Sequence, residues 1–264
     1  MPQTIHYQGI SDLVCPLLEE GNTRSPVEVF HNATLSVREG RVVFAGPTEQ
    51  APVRSDDSIV DLEGRAVLPG FVDSHTHIVF AGDRMDEMAR RTRGETYEEI
   101  AKAGGGIVRS VEALRHTSVD EIVEQSQKRL HHMRGRGTTT IEIKTGYGLE
   151  PQLENIQLDV IDKLREQAGK DTIFATALAH VIPVHRRDNR KEYIDEFCRE
   201  VLEPAALKKR VQFCDVFVES GAYSPEECRY ICGKAKELGI AIKLHVDQLH
   251  EGGGAALAAD LGAL

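Results

Sequence analysis

The sequence predicts an α/β protein: part of a TIM-type (β/α)8 barrel, preceded by a small N-terminal β-sandwich segment. Three observations carry that prediction. From Ala66 onward, short apolar runs alternate with longer stretches of helical periodicity, the rhythm of a parallel sheet with crossover helices. The residues with chemistry to offer fall at or just past the carboxyl ends of the apolar runs, where barrels place their sites; an open doubly wound sheet would gather them at one switch point. The glycine fingerprint of a dinucleotide fold is absent, because Gly104-Gly105-Gly106 follows a helical stretch and reads as a substrate loop or hinge.

The β-sandwich segment is assigned to 1–65 and the partial barrel to 66–264. In the first, Thr34-Leu35-Ser36-Val37-Arg38 alternates polar and apolar, Glu39-Gly40 turns, and Arg41-Val42-Val43-Phe44-Ala45 returns: a hairpin. Gly46-Pro47 breaks it, and Ser58-Ile59-Val60-Asp61-Leu62 is a further short strand. In the second, strands are read at 67–72, 138–143, 173–178, 211–218 and 240–244. Helices are read at 96–103, 110–114, 119–133, 153–167, 189–207, 224–238 and 252–261. Ser224-Pro225-Glu226-Glu227 is a strong helix start, with Ser as N-cap, Pro in the first turn and acids against the dipole. Five strands read as an incomplete barrel, since a closed one uses eight and typically about 250 residues.

The 264 residues are 41% hydrophobic and 28% charged, with a formal net charge of −10. That balance is ordinary for a globular protein, and its sign argues against duplex nucleic acid and anionic membrane surfaces as partners. No apolar run reaches the roughly eighteen residues of a membrane span. The opening MPQTIHYQGISDL lacks the basic and apolar regions of a signal peptide. Five scattered cysteines, an odd number, suit reduced thiols, so a cytoplasmic location is expected. Cys228 and Cys232 read as two packed thiols. His6, His31, His116, His131, His132 and His185 read as loop or helix-surface residues, and Arg186-Arg187 and Lys208-Lys209-Arg210 as solvated charge.

His75-Thr76-His77 closes the first barrel strand. In extended backbone, residues two apart point the same way, so two imidazoles project into one cavity and suit one divalent metal. His245 ends the fifth strand at the same edge of the sheet and is the expected third ligand. Arg84, in the loop after His77, offers a planar guanidinium for bidentate capture of a carboxylate. Tyr147 lies between Gly146 and Gly148, which let the backbone turn sharply and present the ring. His180, after the third strand, reads as a ligand or as a hydrogen-bond donor to a substrate carbonyl. Gln248 can orient a substrate but cannot transfer a proton; alternation turns Asp247 away. Glu142 and Lys144 read as a buried ion pair.

Leu68-Pro69-Gly70-Phe71-Val72-Asp73-Ser74-His75-Thr76-His77, with the β segment before it, resembles the opening of the amidohydrolase superfamily. Five stretches resemble the imidazolonepropionase family within it. They are Phe80-Ala81-Gly82-Asp83-Arg84; Ala103-Gly104-Gly105-Gly106-Ile107; Ile141-Glu142-Ile143-Lys144-Thr145-Gly146-Tyr147-Gly148; Ala179-His180; and Lys243-Leu244-His245-Val246-Asp247-Gln248-Leu249. The likeness runs from about residue 28 to the end. It implies one zinc or iron ion held by His75, His77 and His245, with Arg84 on a propionate tail and Tyr147 on the substrate. His180 would polarise the imidazolone oxygen, and Gln248 joins the catalytic and substrate-binding set. The implied reaction is metal-assisted hydrolysis of 4-imidazolone-5-propanoate to N-formimidoyl-L-glutamate in histidine degradation, with a homodimer as the expected assembly. The family's fourth ligand, an Asp after strand eight, has no counterpart in 1–264, so weak metal binding and little turnover are expected of this chain. The segment 211–224 carries no Lys that could bridge two metals, which favours one ion. Two other readings stand: a different amidohydrolase, of deaminase or dihydroorotase type, and a non-catalytic form that binds full-length subunits.

Overall fold

The computed structural model describes residues 2–16, 27–96, 99–100, 103–169 and 172–264. The chain divides into two compact units, Met1–Gly70 and Phe71–Leu264.

The first unit holds one four-stranded sheet: β1 (Thr4–Pro16), β2 (Val27–Arg38), β3 (Arg41–Pro47) and β4 (Ser58–Asp61), in the order β3-β2-β1-β4. The segment read as part of a β-sandwich forms this one sheet among the described residues. The β2–β3 hairpin turns through Glu39 and Gly40, both at positive φ (50° and 74°), as a tight two-residue turn requires. The central strand β1 has no counterpart among the strands read from the sequence. Its alternation is broken at Gly9, where the register shifts between Tyr7 and Ile10. Ile10, Leu13 and Ala33 form the small core. His6 is buried rather than on a loop: Ser36 Oγ lies 2.7 Å from Nδ1 and Asp57 Oδ2 lies 3.0 Å from Nε2.

The second unit is a five-stranded parallel sheet in sequential order, the arrangement of a partial barrel: β5 (Phe71–Thr76), β6 (Thr138–Lys144), β7 (Ile173–Ala179), β8 (Phe213–Val218) and β9 (Ala241–Val246). Its helices are α1 (Met85–Thr92), α2 (Ile107–His116), α3 (Val119–Arg134), α4 (Pro151–Ala168), α5 (Arg190–Phe197), α6 (Glu203–Leu207), α7 (Pro225–Glu237) and α8 (Gly254–Asp260). Of the helix read at 96–103, residues 97–98 and 101–102 lie outside the described set. Ile141, Ile143, Ala175, Val216 and Ile242 from the strands meet Leu158, Ile161, Val201 and Ile231 from the helices in one core.

Three expectations need correction. The first barrel strand is Phe71–Thr76, not 67–72; Val67 bridges to Leu13 in the first unit. The helix read at 189–207 is interrupted by a wide turn, Cys198–Leu202, ahead of Pro204. Proline has no N–H to donate and crowds the carbonyl four residues back, and widening the turn relieves both. Arg210 is buried, paired with Asp159 (2.5 Å) and Asp162 (2.6 Å), rather than solvated. The start of α7 is as read: Ser224 and Glu227 form a reciprocal capping box.

Candidate functional site

The carboxyl ends of the parallel strands open on a cavity of about 1020 Å³ lined by His75, His77, Tyr147, His180, Phe217, His245 and Gln248, among others. On β5, Asp73 stands opposite Ile141 and Thr76 opposite Ile143, so three steps on β5 match two on β6. Such a bulge re-aims side chains. The His75 and His77 rings are therefore tilted by 56° with centroids 5.7 Å apart, rather than side by side.

His75 meets His245 instead, with Nε2 atoms 3.3 Å apart. Two nitrogens each bonded at 2.0–2.1 Å to a tetrahedral ion stand about 3.3–3.4 Å apart, so this pair spans one edge of such a site. His77 stacks on Tyr147 (4.7 Å, 10°). Its Nδ1 is buried without a hydrogen-bond partner, and burial pushes its pKa down to about 3, so the ring is neutral. Desolvation also lowers the pKa of His75. As placed, no three His, Cys, Asp or Glu side chains among the described residues converge on one point at coordination distance. The donors nonetheless suit a divalent ion of the zinc or iron kind: two imidazoles at the right separation, and a third with an orphaned nitrogen on the same cavity wall.

Behind His245 lies a buried polar network. Asp215 Oδ2 is 2.9 Å from His245 Nδ1, although the N–H is not aligned for a good hydrogen bond, and it accepts from Lys144 Nζ at 2.8 Å. Lys144 also donates to Glu142 at 2.7 Å, which makes the pair read from the sequence a buried ion pair. Glu142 accepts in addition from Thr176 Oγ1 and from Lys243. Burial alone would raise the Asp215 pKa, but His245 and Lys144 outweigh it and hold the carboxyl at about 2.

The loop carrying Tyr147 is fixed from α4. Glu154 accepts from the backbone N–H groups of Gly146, Gly148 and Leu149, each at 2.8 Å. Gln157 accepts from Tyr147 N and donates to Val79 O, tying this loop to the one after β5. The two glycines act differently. Gly146 sits at φ 101°, whereas a Cβ on Gly148 would lie 2.4 Å from Glu154 N, so only Gly146 serves the turn expected of both.

His180 Nδ1 lies 3.0 Å from Gly146 O. A carbonyl only accepts, so Nδ1 carries the proton. Burial lowers the His180 pKa, and the neutral ring keeps Nε2 as an acceptor. A donor role therefore requires that His180 first take up a proton.

Gln248 rides on a loop held at both sides. Glu219 accepts from Leu249 N (2.9 Å), from His250 N (3.3 Å) and from the His250 ring (3.0 Å). Asp247 points away from the cavity, as read, and accepts from Gly252, Gly254 and Ala255 N. Hydrogen bonds from the Leu249 and Ser220 backbone, with the His250 side chain, hold Glu219 at a pKa of about 2, below the ordinary 4.5. Because the folded value is depressed, the ordering Glu219 provides is full above pH 4.5 and is lost only as pH falls through about 2. The NMR amide signal of Leu249 should therefore show no carboxylate titration step between pH 5 and 3; a midpoint near 4.5 would contradict this.

Arg84 opens on a smaller adjoining cavity of about 220 Å³ that shares His77 and Tyr147 with the large one. Its Nε lies 3.4 Å from buried Glu87, which also accepts from Gly106 N at 2.8 Å. Gly106 thus anchors α2 to α1 through Glu87. Sequence reading missed Arg91, Thr96, Phe217, Leu249 and His250 on the large cavity. It also missed Asp215, whose signal was a lone carboxylate in the apolar run Phe213-Cys214-Asp215-Val216-Phe217-Val218.

The amidohydrolase family profile matches residues 58–112. The imidazolonepropionase of Clostridium tetani is 44% identical over 246 residues, 92% of this chain and 59% of that protein. That of Symbiobacterium thermophilum is 41% identical over 249 residues, again 92% and 59%. The chain thus spans about three fifths of the length of these curated relatives. Among solved structures, 5-methylcytosine deaminase from Klebsiella pneumoniae superposes with TM-score 0.63 at 13% identity, over 97% of this chain and 55% of that one. Ochratoxinase from A. niger gives 0.62 at 17%, over 99% and 59%. An atrazine chlorohydrolase from Arthrobacter aurescens complexed with zinc gives 0.60 at 14%, over 97% and 55%. At such identities the structures speak for the fold alone. The chain is thus similar in sequence to imidazolonepropionases, matches the amidohydrolase profile over 58–112, and shares the fold of these hydrolase and deaminase structures.

Proposed function

We propose that this chain carries the metal-binding and substrate-binding part of a hydrolase that opens the ring of 4-imidazolone-5-propanoate at a C–N bond, giving N-formimidoyl-L-glutamate in histidine degradation. The observation that carries it is the His75–His245 nitrogen pair at the mouth of a cavity also lined by Tyr147, His180 and Gln248. His75 and His245, joined by His77 on rotation of its side chain, would hold one zinc or iron ion. When bound, such an ion polarises a carbonyl and lowers the pKa of water toward 7.

The remaining roles belong to the chain's own side chains. Tyr147 and His77 separate the large cavity from the Arg84 cavity. A ring lying in the first would carry an acidic tail past these two side chains to Arg84, whose Nε faces Glu87. His180 Nε2, the free acceptor of the neutral ring, takes a ring N–H; once protonated it donates to a carbonyl oxygen. Gln248 orients the ring amide through both of its functions. Addition of water across the C–N bond leaves a nitrogen that needs a proton, and Gln248 cannot supply one.

Binding of the substrate tests this without requiring turnover. 4-Imidazolone-5-propanoate is expected to raise the unfolding temperature of the zinc-loaded chain, by mass action on the folded state. Arg84→Met should reduce that shift by the equivalent of about 1.5–3 kcal/mol, the worth of a hydrogen bond to a charged group. A shift with cytosine or dihydroorotate and none with the propanoate would contradict the proposal.

A further inference from the structure

Asp215 is 1% exposed, in the middle of β8 between Cys214 and Val216. With Lys144, Glu142, Thr176 and Lys243 it forms one connected network across β6, β7, β8 and β9. Apolar residues of similar volume in place of such a buried ion network are often neutral or stabilising, so packing alone is a weak reason for it. Beyond itself the network reaches the Phe213 ring, under Lys243, and His245, through Asp215 Oδ2 at 2.9 Å from Nδ1.

We propose that Asp215 is a positioning residue for His245. Its Oδ2 lies 2.9 Å from Nδ1, so that a small turn of the ring lets the carboxylate accept the Nδ1 proton and leaves Nε2, 3.3 Å from His75 Nε2, with its lone pair. Lys144 in turn fixes the carboxylate, donating to Oδ2 at 2.8 Å and to Glu142 at 2.7 Å. Carboxylates that take the second ring N–H of a metal-bound histidine set its tautomer and ring orientation, and losing one typically weakens metal affinity 10- to 100-fold. With Nδ1 protonated, His245 Nε2 accepts from His75 Nε2–H across the 3.3 Å or, once that proton leaves, shares a cation with it. The inference rests on the metal reading above.

The test is Co2+ affinity of the purified 264-residue chain, measured by competition with a chromophoric chelator, beside thermal unfolding of the metal-free protein. Asp215→Asn is expected to weaken Co2+ binding about 10- to 100-fold. Since Asn alone leaves Lys144 short of a partner, the double variant Asp215→Asn/Lys144→Met removes one charge of each sign. It should unfold near the wild-type temperature and still bind Co2+ as weakly as Asp215→Asn. A double variant that regains wild-type affinity along with its stability would make Asp215 merely structural and overturn the inference alone. A wild-type chain that binds no Co2+ would overturn the metal reading and this inference with it.

Discussion

Glu154→Ala is expected to destabilise the parallel-sheet unit by about 3–5 kcal/mol, the upper range for a single substitution. The Glu154 side chain is buried, and its two oxygens accept from three backbone N–H groups at 2.8 Å. Alanine leaves all three donors unpaired in a buried turn, at about 1–3 kcal/mol each before any relaxation. Burial raises the Glu154 pKa, and the hydrogen bonds from Thr145, Leu149, Gly146 and Gly148 oppose that rise without cancelling it. Glu154→Gln keeps one accepting oxygen and should cost less than half as much. Chemical denaturation of the two variants measures both effects. Because Gly146 and Gly148 flank Tyr147, Glu154→Ala should also release the Tyr147 ring from its stack on His77, seen as sharpening of the tyrosine ring signals in NMR.

The second large effect concerns the imidazoles. His75→Ala and His245→Ala each remove one end of the 3.3 Å nitrogen pair. Losing a direct ligand should weaken zinc binding beyond the about 100-fold that an outer partner costs. His75 is exposed, so His75→Ala should change stability without metal little, whereas His245→Ala also takes a partner from buried Asp215 and should cost some stability. His77→Ala should weaken zinc as well. Isothermal titration of the three variants with zinc checks this; affinities equal to wild type for both His75→Ala and His245→Ala would contradict it.

Much of this was legible because two periodicities survive in the sequence. The five parallel strands follow apolar runs, and their carboxyl ends carry the residues with chemistry, so His75, His77, Tyr147, His180, Gln248 and His245 could be read as neighbours before any coordinates. The illegible parts are local breaks in regularity. The bulge between Asp73 and Thr76 leaves no mark in the residue types, yet it separates the His75 and His77 rings. β1 was hidden because Gly9 interrupts its alternation and polar residues occupy much of its length. Asp215 and Arg210 are charges whose partners come from distant positions, Lys144 and Asp159, and sequence spacing says nothing of such pairings. Arg84 was read correctly as a loop guanidinium, but its competition with Glu87 is a matter of packing between α1 and the start of α2.

The central claim is that His75 and His245, with His77 turned in beside them, hold a single divalent cation at the carboxyl ends of β5 and β9. Anomalous X-ray scattering from crystals of the chain grown with zinc tests it most directly. A peak about 2.0–2.1 Å from a nitrogen of each of the three rings is the predicted result. The contrary result is an ion bound elsewhere, or none, with the His75 and His245 nitrogens still facing each other and no density between them.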